Sequence, residues 1–303
     1  LYPLTPSTSV VDAFAKYCKR LRIEAGSGKN KFSIIQAEDE LAAIGMVIGA
    51  SWNGARAFTA TSGPGVSLMQ EFLGLAYFSE VPAVLFNIQR TGPSTGMPTR
   101  TQQGDLLSCA YASHGDTKHI LLLPSTPKEC FEFAADSFDI AERLQTPVII
   151  LSDLELGMNE QICDPLEWDD ERRYDRGKVL NEEELEKIEK YGRYQDVDGD
   201  GIPYRTYPGT HPSKGSYFTR GSSHDANAGY TEDGDIYAEV MDRLALKFKT
   251  SVRYLPEPEV SNMQKNSLGI IFFGTTTSAI KEVLDRLAKK GISLHRMRLK
   301  AFP

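Results

Sequence analysis

Short apolar runs rich in Val and Ile alternate with helical stretches between about residues 5 and 157 of this 303-residue chain. Strands that alternate with helices form parallel sheets, and strands that are apolar on both sides are covered on both faces. The pattern therefore predicts an α/β domain built on a parallel sheet. We predict strands at 32–37, 56–61, 81–89, 119–123 and 147–152, and helices at 39–50, 67–78 and 128–144.

The composition changes after residue 157. An acidic helix is predicted at 182–188, and a stretch dense in Gly, Pro, Ser and Tyr leads to a helix at 237–249. A connection this long without regular structure is usually functional or covered by another subunit. A strand at 267–273, a helix at 278–290 and a strand at 292–299 then form one βαβ unit. We predict three regions: a first domain at 1–157, an irregular connecting region at 158–262, and the truncated start of a second α/β domain at 263–303.

Charge, hydropathy and cysteine usage narrow the functional classes. The net charge of -7 argues against a nucleic-acid partner, because binding to a duplex requires clustered Lys and Arg. No apolar run approaches the roughly 20 residues that span a bilayer, so we expect no membrane partner. The chain lacks an initiator Met, and we expect it to continue a longer polypeptide or to have been processed. The cysteines are scattered singly, which predicts reduced thiols in the cytoplasm and no metal or iron–sulfur cluster on this chain alone: Cys18, Cys109, Cys130 and Cys163.

Carboxylates cluster where the first predicted strand gives way to a helix. Glu38, Asp39 and Glu40 precede a run of small residues, LAAIG, that suits close helix packing. The helix dipole favours the ionised form of an acid in the first turn. All three acids therefore have an ordinary interpretation as charge complements, and a catalytic interpretation needs further support.

Two other segments lie between a predicted strand and the next element. Residues 59–65 (TATSGPG) form a glycine-rich turn that lets backbone approach a ligand, although an ordinary strand-to-helix turn has the same pattern. Arg90 follows the strand at 81–89 and leads into a polar loop, 91–105, that contains Arg100. Ligands of open α/β sheets bind at such strand ends, and a guanidinium binds a carboxylate through two parallel hydrogen bonds. The alternative for each arginine is a surface charge.

Four segments, taken in order, resemble the alpha subunit of 2-oxoacid:ferredoxin oxidoreductases, most closely the 2-oxoglutarate enzymes: 2–7 (YPLTPS), 40–45 (ELAAIG), 61–65 (TSGPG) and 92–99 (GPSTGMPT). The resemblance implies a thiamine-diphosphate-binding domain of the pyrimidine type, followed by the start of a transketolase C-terminal-like domain. It also implies a complex that decarboxylates a 2-oxoacid, passes two electrons through iron–sulfur clusters to ferredoxin, and releases an acyl-CoA.

The resemblance gives the first segments a role toward the cofactor. Glu40, rather than Glu38, matches the carboxylate that hydrogen-bonds the aminopyrimidine ring and activates thiamine diphosphate. Ser62, Gly63 and Pro64 belong to the turn that would contact the cofactor, with Gly63 and Pro64 against the pyrimidine.

The resemblance also implies substrate contacts. Thr5 and Arg90 match positions expected to hold the 2-oxoacid end of the substrate. Arg100, with Thr99 beside it, is our candidate for the distal carboxylate of 2-oxoglutarate.

The departures from the family pattern predict partners. The chain carries no cluster-binding cysteine set and no credible diphosphate motif. We therefore expect a beta subunit that shares thiamine diphosphate and holds Mg²⁺ and a 4Fe-4S cluster. A gamma domain or subunit, ferredoxin, the 2-oxoacid and CoA complete the expected partners.

Other interpretations of the chain stay open. Residues 199–201 (GDG) and Asn227 have the spacing of the thiamine-diphosphate magnesium motif but lack a buried strand before them. Residues 196–201 also resemble the start of a calcium loop, although Tyr207 stands where its last acid belongs. His224 is the histidine whose polar loop suggests a role. The alternatives are the same chemistry on pyruvate or a branched-chain 2-oxoacid, a calcium-binding interaction module, and a scaffolding subunit without activity.

Overall fold

The computed structural model of the chain describes residues 1–261 and 268–303. In these residues the strands are β1 Phe58–Thr61, β2 Ala83–Gln89, β3 Ile120–Leu122, β4 Pro147–Asp153, β5 Glu259–Ser261, β6 Gly269–Phe273, β7 His295–Leu299 and β8 Ala301–Phe302. The helices are α1 Thr8–Leu21, α2 Glu40–Trp52, α3 Gly63–Leu68, α4 Gln70–Phe78, α5 Leu106–Ala110, α6 Pro127–Leu144, α7 Leu154–Met158, α8 Glu182–Glu186, α9 Gly234–Ser251 and α10 Thr276–Ala288, with a 3-10 helix at Val252–Tyr254.

The main sheet has the strand order β1-β2-β4-β3-β8 within the described residues. β1, β2, β4 and β3 run parallel to their neighbours, and β8 joins the edge of β3 in the antiparallel direction. The predicted parallel sheet is confirmed. Because the first four strands are parallel, their carboxyl ends meet at one edge of the sheet.

Both faces of this sheet are buried, as the apolar strands predict. Leu85, Leu121 and Ile149 lie in the core beneath α2 and α4. The neighbouring positions Val84 and Val148 point to the opposite face and contact α6. Successive side chains of a strand alternate between faces, so a strand covered on both sides must be apolar at nearly every position.

Helix α2 begins at Glu40 because the residue before it supplies the cap. The Asp39 side chain accepts a hydrogen bond from the backbone N–H of Ala42 at 2.7 Å. This capping bond satisfies a donor that would otherwise have no partner in the first turn. It fixes Glu40 as the first helical residue, with its side chain directed to the buried side of the helix rather than to solvent.

The predicted strand at 32–37 is wrong. The segment is extended but joins no sheet, and its backbone bonds instead go to the N-terminal residue: Leu1 donates to the carbonyl of Ile35 at 2.6 Å, and Ala37 donates to the carbonyl of Leu1 at 3.0 Å. An apolar cavity of about 500 Å³, lined by residues that include Phe32, Ile34 and Phe58, lies beside the segment. The segment therefore contributes no strand to the sheet.

The helix predicted at 67–78 is two helices, and the first starts earlier than expected. α3 already begins at Gly63, with Pro64 in its first turn. Proline is tolerated there because the first N–H groups of a helix have no intrahelical partner. The predicted glycine-rich turn is thus the first turn of a short helix.

The C-terminal part forms a second, smaller sheet. Its strands have the order β5-β7-β6 in the described residues, and β6, α10 and β7 form the predicted βαβ unit with parallel strands. Arg298 connects this unit to the main domain, since it binds Glu129 and Glu259, each at 2.6 Å, on either side. The predicted boundary at 262/263 and the predicted strand start at Ser267 lie outside the described residues, and the division into three regions stays a prediction.

The loop at 196–201 closes on itself. The Asp196 carboxylate accepts backbone N–H groups of the loop, including that of Gly201 at 2.8 Å, and Lys178 forms ion pairs with Asp198 at 2.7 Å and Asp200 at 2.8 Å. In the described part of the chain, no group of three or more His, Cys, Asp or Glu side chains is arranged to hold a metal ion. The carboxylates therefore stabilise a turn, which gives the calcium-loop interpretation no support.

A buried ion cluster attaches α9 to the main domain. Glu80 is fully buried between α4 and β2, where Arg243 donates to its carboxylate through both terminal nitrogens, Nη1 and Nη2, and Lys247 binds it at 2.7 Å. Arg193 donates to the Glu80 carbonyl at 2.9 Å. Burial alone would raise the pKa of Glu80, but the two cations on α9 lower it to about 2. Glu80 is therefore ionised in the folded protein.

No helix in residues 1–261 or 268–303 has the length and hydropathy needed to cross a bilayer.

Acid is expected to destabilise the fold through His119. This side chain is fully buried, its Nε2 donates to the carbonyl of Ala112 at 2.9 Å, and burial lowers its pKa to about 4. The unfolded chain takes up a proton below about pH 6.5 while the folded chain does not, so stability falls as the pH drops from 6.5 to 4. Between pH 7 and 5 the loss due to this group is about 2 kcal/mol.

Urea unfolding of the full chain at both pH values, compared with His119→Gln, measures this contribution. The variant should lose less stability than the natural sequence over the same interval. Equal losses in the two proteins would show that His119 does not control the acid response.

Candidate active site

The carboxyl ends of β1 and β2 converge on a cleft. Thr61, the last residue of β1, lies beside Asn87 in the sheet, and Arg90 directly follows β2. The cleft has a volume of about 400 Å³. Its walls combine the start of α3, the polar loop after β2 and the start of α5: Gly63, Pro64, Ser67, Leu68, Arg90, Thr91, Gly92, Pro93, Ser94, Thr95, Asp105 and Ser108. This is the sheet edge where open α/β folds bind their ligands.

Glu40 is a buried acid without a partner. Its side chain is 5% exposed, and no hydrogen bond or ion pair reaches its carboxylate from the described residues 1–261 and 268–303. A Cβ atom added at Gly65 would lie 2.9 Å from the Glu40 side chain and 1.9 Å from the Thr61 hydroxyl. Glycine is therefore required there for α3 to approach Glu40 closely. A side chain that is nearly buried and yet forms no hydrogen bond is typical of a group that awaits a ligand.

The other residues predicted to contact the cofactor lie beside Glu40. Ser62 is fully buried, and its hydroxyl has no hydrogen-bond partner among the described residues. A Cβ added at Gly63 would lie 2.8 Å from the Asp105 carboxylate, so any larger residue there would displace Asp105. Gly63 and Pro64 line the cleft. The buried hydroxyl of Ser62 and the nearly buried side chain of Glu40, next to two closely packed glycines, fit the binding of a polar aromatic ring.

The structure brings Arg90 and Thr5 together. Arg90 is 7% exposed, and it donates to the carbonyl of Thr5 at 2.7 Å and to the carbonyl of Thr95 at 2.9 Å. Its Nε is buried and has no partner in the described residues. A guanidinium has five N–H donors, so Arg90 retains donors for an anionic ligand. The contact of Thr5 with Arg90 is through its backbone carbonyl.

Thr99 and Arg100 lie in the exposed part of the loop after β2. The Arg100 guanidinium donates to the carbonyl of Thr99 at 2.8 Å and to its hydroxyl at 3.2 Å. Neither residue is among those that line the cleft. The structure therefore does not place them beside Arg90, and their role toward a distal carboxylate stays a prediction.

Asp105 also lines the cleft, although no sequence pattern indicated it. Its carboxylate accepts a hydrogen bond from Asn87 at 3.0 Å, and its backbone N–H donates to the side chain of Gln89 at 3.0 Å. An acid directly before a helix ordinarily indicates a cap, so the sequence pattern QGDLL does not distinguish a capping residue from one in a site.

His224 has a structural role. It is fully buried, stacks on Tyr194 with ring centroids 3.9 Å apart, and contacts the carbonyls of Phe78 and Asp225. Burial lowers its pKa.

The parallel sheet, with Glu40 at the start of α2 and Gly63 at the start of α3 beside the carboxyl end of β1, fits the thiamine-diphosphate-binding domain that the sequence resemblance implies. Residues 1–210 match the family described as pyruvate flavodoxin/ferredoxin oxidoreductase, thiamine diphosphate-binding. The chain belongs to this family.

Relatives and a solved structure agree with the family match. The chain is 33% identical over 307 residues to the 2-oxoglutarate synthase subunit KorA of Methanocaldococcus jannaschii. The aligned region covers 98% of this chain and 75% of the relative. It is 36% identical over 300 residues to the alpha subunit of 2-oxoacid:ferredoxin oxidoreductase 2 of Aeropyrum pernix, covering 96% of this chain and 45% of the relative.

The solved structure is a 2-oxoglutarate:ferredoxin oxidoreductase from Magnetococcus marinus with 2-oxoglutarate, coenzyme A and succinyl-CoA bound. It superposes with a TM-score of 0.85 and 30% identity, over 99% of this chain and 49% of the solved chain. This chain thus spans about half the length of the second relative and of the solved chain.

Proposed function

We propose that this chain is the pyrimidine-binding subunit of a cytoplasmic thiamine-diphosphate-dependent 2-oxoacid:ferredoxin oxidoreductase. The complex would interconvert 2-oxoglutarate, CoA and oxidised ferredoxin with succinyl-CoA, CO₂ and reduced ferredoxin. The observation that carries the proposal is the buried, unpaired carboxylate of Glu40 next to a cleft that Arg90 lines. The relatives named for 2-oxoglutarate support this choice of substrate.

The residues at the cleft fit thiamine diphosphate. When bound, this cofactor supplies a carbanion that attacks the ketone of a 2-oxoacid and accepts the electrons released on decarboxylation. Glu40 would share a proton with a ring nitrogen of the pyrimidine, which satisfies its buried carboxylate. Gly63 and Pro64 would form the surface against which the ring lies, and the free hydroxyl of Ser62 would face its polar edge.

The rest of the site would come from partner subunits. We propose that a beta subunit binds the diphosphate with Mg²⁺ and holds the 4Fe-4S cluster, because the four cysteines of this chain are scattered singly. A gamma domain or subunit and ferredoxin would complete the assembly.

Two arginine variants test the substrate assignment. In the assembled complex, Arg90→Lys should raise the KM for both 2-oxoglutarate and pyruvate on the order of 100-fold, since a lysine cannot bind the Thr5 carbonyl and a carboxylate with a planar fork. Arg100→Ala should raise the KM for 2-oxoglutarate about tenfold and leave that for pyruvate unchanged.

Steady-state KM values for both substrates, with the acceptor at saturation, decide between the outcomes. An unchanged KM for 2-oxoglutarate in Arg100→Ala would remove this arginine from the site. A strong preference of the natural complex for pyruvate or a branched-chain 2-oxoacid would keep the chemistry and change the substrate.

A further inference from the structure

The side chain of Asp105 faces the cleft instead of capping α5. An Asp at the residue before a helix normally accepts a hydrogen bond from a backbone N–H of the first turn, but Asp105 makes no such bond. Its carboxyl group instead binds Asn87 and lies against Gly63. The usual capping role of an acid at this position therefore does not explain its direction.

The surroundings of Asp105 leave its charge without compensation. Arg90 lines the same cleft, but no cation in the described residues forms an ion pair with Asp105. Cys109, on α5, stays protonated because burial raises its pKa to about 12, and the start of α3 presents Gly63 and Pro64 without a titratable group. Burial raises the pKa of Asp105, an effect that the hydrogen bond from Asn87 only partly offsets.

An ionised Asp105 would oppose the binding of an anion in this cleft. Two carboxylates that share a site cannot both stay charged without a large energetic cost, so one of them takes up a proton. A protonated carboxyl group is also a hydrogen-bond donor, and it complements the positive charge of Arg90 without repelling the ligand.

We propose that Asp105 is a further substrate-contacting residue, an inference that rests on the proposed function. Asp105 takes up one proton from solvent when the 2-oxoacid binds, and it donates this proton in a hydrogen bond to a carboxylate oxygen of the substrate. Substrate affinity then depends on pH through this group. Above the pH at which free Asp105 ionises, the dissociation constant rises by up to tenfold per pH unit.

Calorimetry on the assembled complex tests the proposal by a readout other than activity. 2-Oxoglutarate is titrated into the complex carrying Glu40→Gln, which is expected to slow turnover at least about 100-fold, in two buffers of different ionisation enthalpy at pH 7 and 8. This complex, with Asp105 unchanged, is the parent complex, and it should take up a proton when 2-oxoglutarate binds. With Asp105→Asn added, a neutral donor remains, so binding should continue without that uptake, whereas Asp105→Ala should bind about tenfold more weakly.

Two variants serve as controls. Asp105→Glu keeps a carboxyl group and should keep the proton uptake, and Asp116→Asn removes an exposed acid that lines a different cavity and should change nothing. Equal proton uptake in the parent complex and the Asp105→Asn complex would overturn the inference. A different result would overturn the proposed function and this inference with it: the Glu40→Gln complex binds no 2-oxoglutarate, and the complex with the natural Glu40 is inactive.

Discussion

Replacing Glu40 by glutamine in the assembled complex is expected to lower turnover by about 10²- to 10⁴-fold, the range that a positioned proton-transferring group contributes. Glutamine has nearly the same shape, but it cannot carry the proton that the carboxylate would share with the pyrimidine. Glu40 is 5% exposed, and the substitution breaks no hydrogen bond or ion pair among the described residues. We therefore expect folding and assembly to be preserved.

The measurement is ferredoxin or viologen reduction by complexes of equal subunit composition, established by size-exclusion chromatography. Glu38→Gln is the matched control, because Glu38 is exposed two residues earlier and should retain full activity. Near-normal turnover of Glu40→Gln in an intact complex would contradict the role assigned to this residue.

The substitution Glu80→Gln is expected to have the largest effect on stability, a loss of about 3–5 kcal/mol. It leaves Arg243 and Lys247 buried on α9 without their counter-charge, while the shape of the side chain is nearly unchanged. Breaking one partner of a buried pair is costly because the remaining charge stays desolvated.

The measurement is urea unfolding of the full chain at pH 7, with Glu239→Ala as the control. Glu239 is exposed on the same helix α9, and its replacement should change the free energy of unfolding by no more than about 0.5 kcal/mol. The ionic contribution of Glu80 also has a defined pH range. Its folded pKa of about 2 is below the unfolded value of 4.5, so its contribution is complete above pH 4.5 and is lost as the pH falls toward 2. Equal stability of Glu80→Gln and the natural sequence would show that the cluster contributes nothing net.

The main sheet could be predicted because a strand covered on both faces is apolar at every position. β4 is buried along its full length, and the run PVIILS shows this directly. The run at 32–37 has a similar composition, but it forms no strand. Hydropathy alone does not indicate whether a neighbouring strand lies within hydrogen-bonding distance. Most of this run is not buried either, since Ile35 is 55% exposed, so its composition predicts neither its burial nor its pairing.

Two of the proposed site residues are placed by neighbouring elements of the fold. Arg90 directly follows β2, and Glu40 directly follows Asp39, the residue that caps α2. Asp105 could not be predicted, because its position before α5 indicates a cap and its contact with Gly63 depends on how two loops meet in space. Glu80 is similar, since its partner Lys247 lies 167 residues further along the chain and no local pattern connects them.

The most direct test of the central claim is the reduction of ferredoxin by this chain assembled with the proposed beta subunit, in the presence of thiamine diphosphate, CoA and 2-oxoglutarate, with pyruvate in parallel. We predict reduction that requires 2-oxoglutarate, both subunits and the cofactor. No reduction with any 2-oxoacid, in a complex shown to contain thiamine diphosphate, would contradict the account.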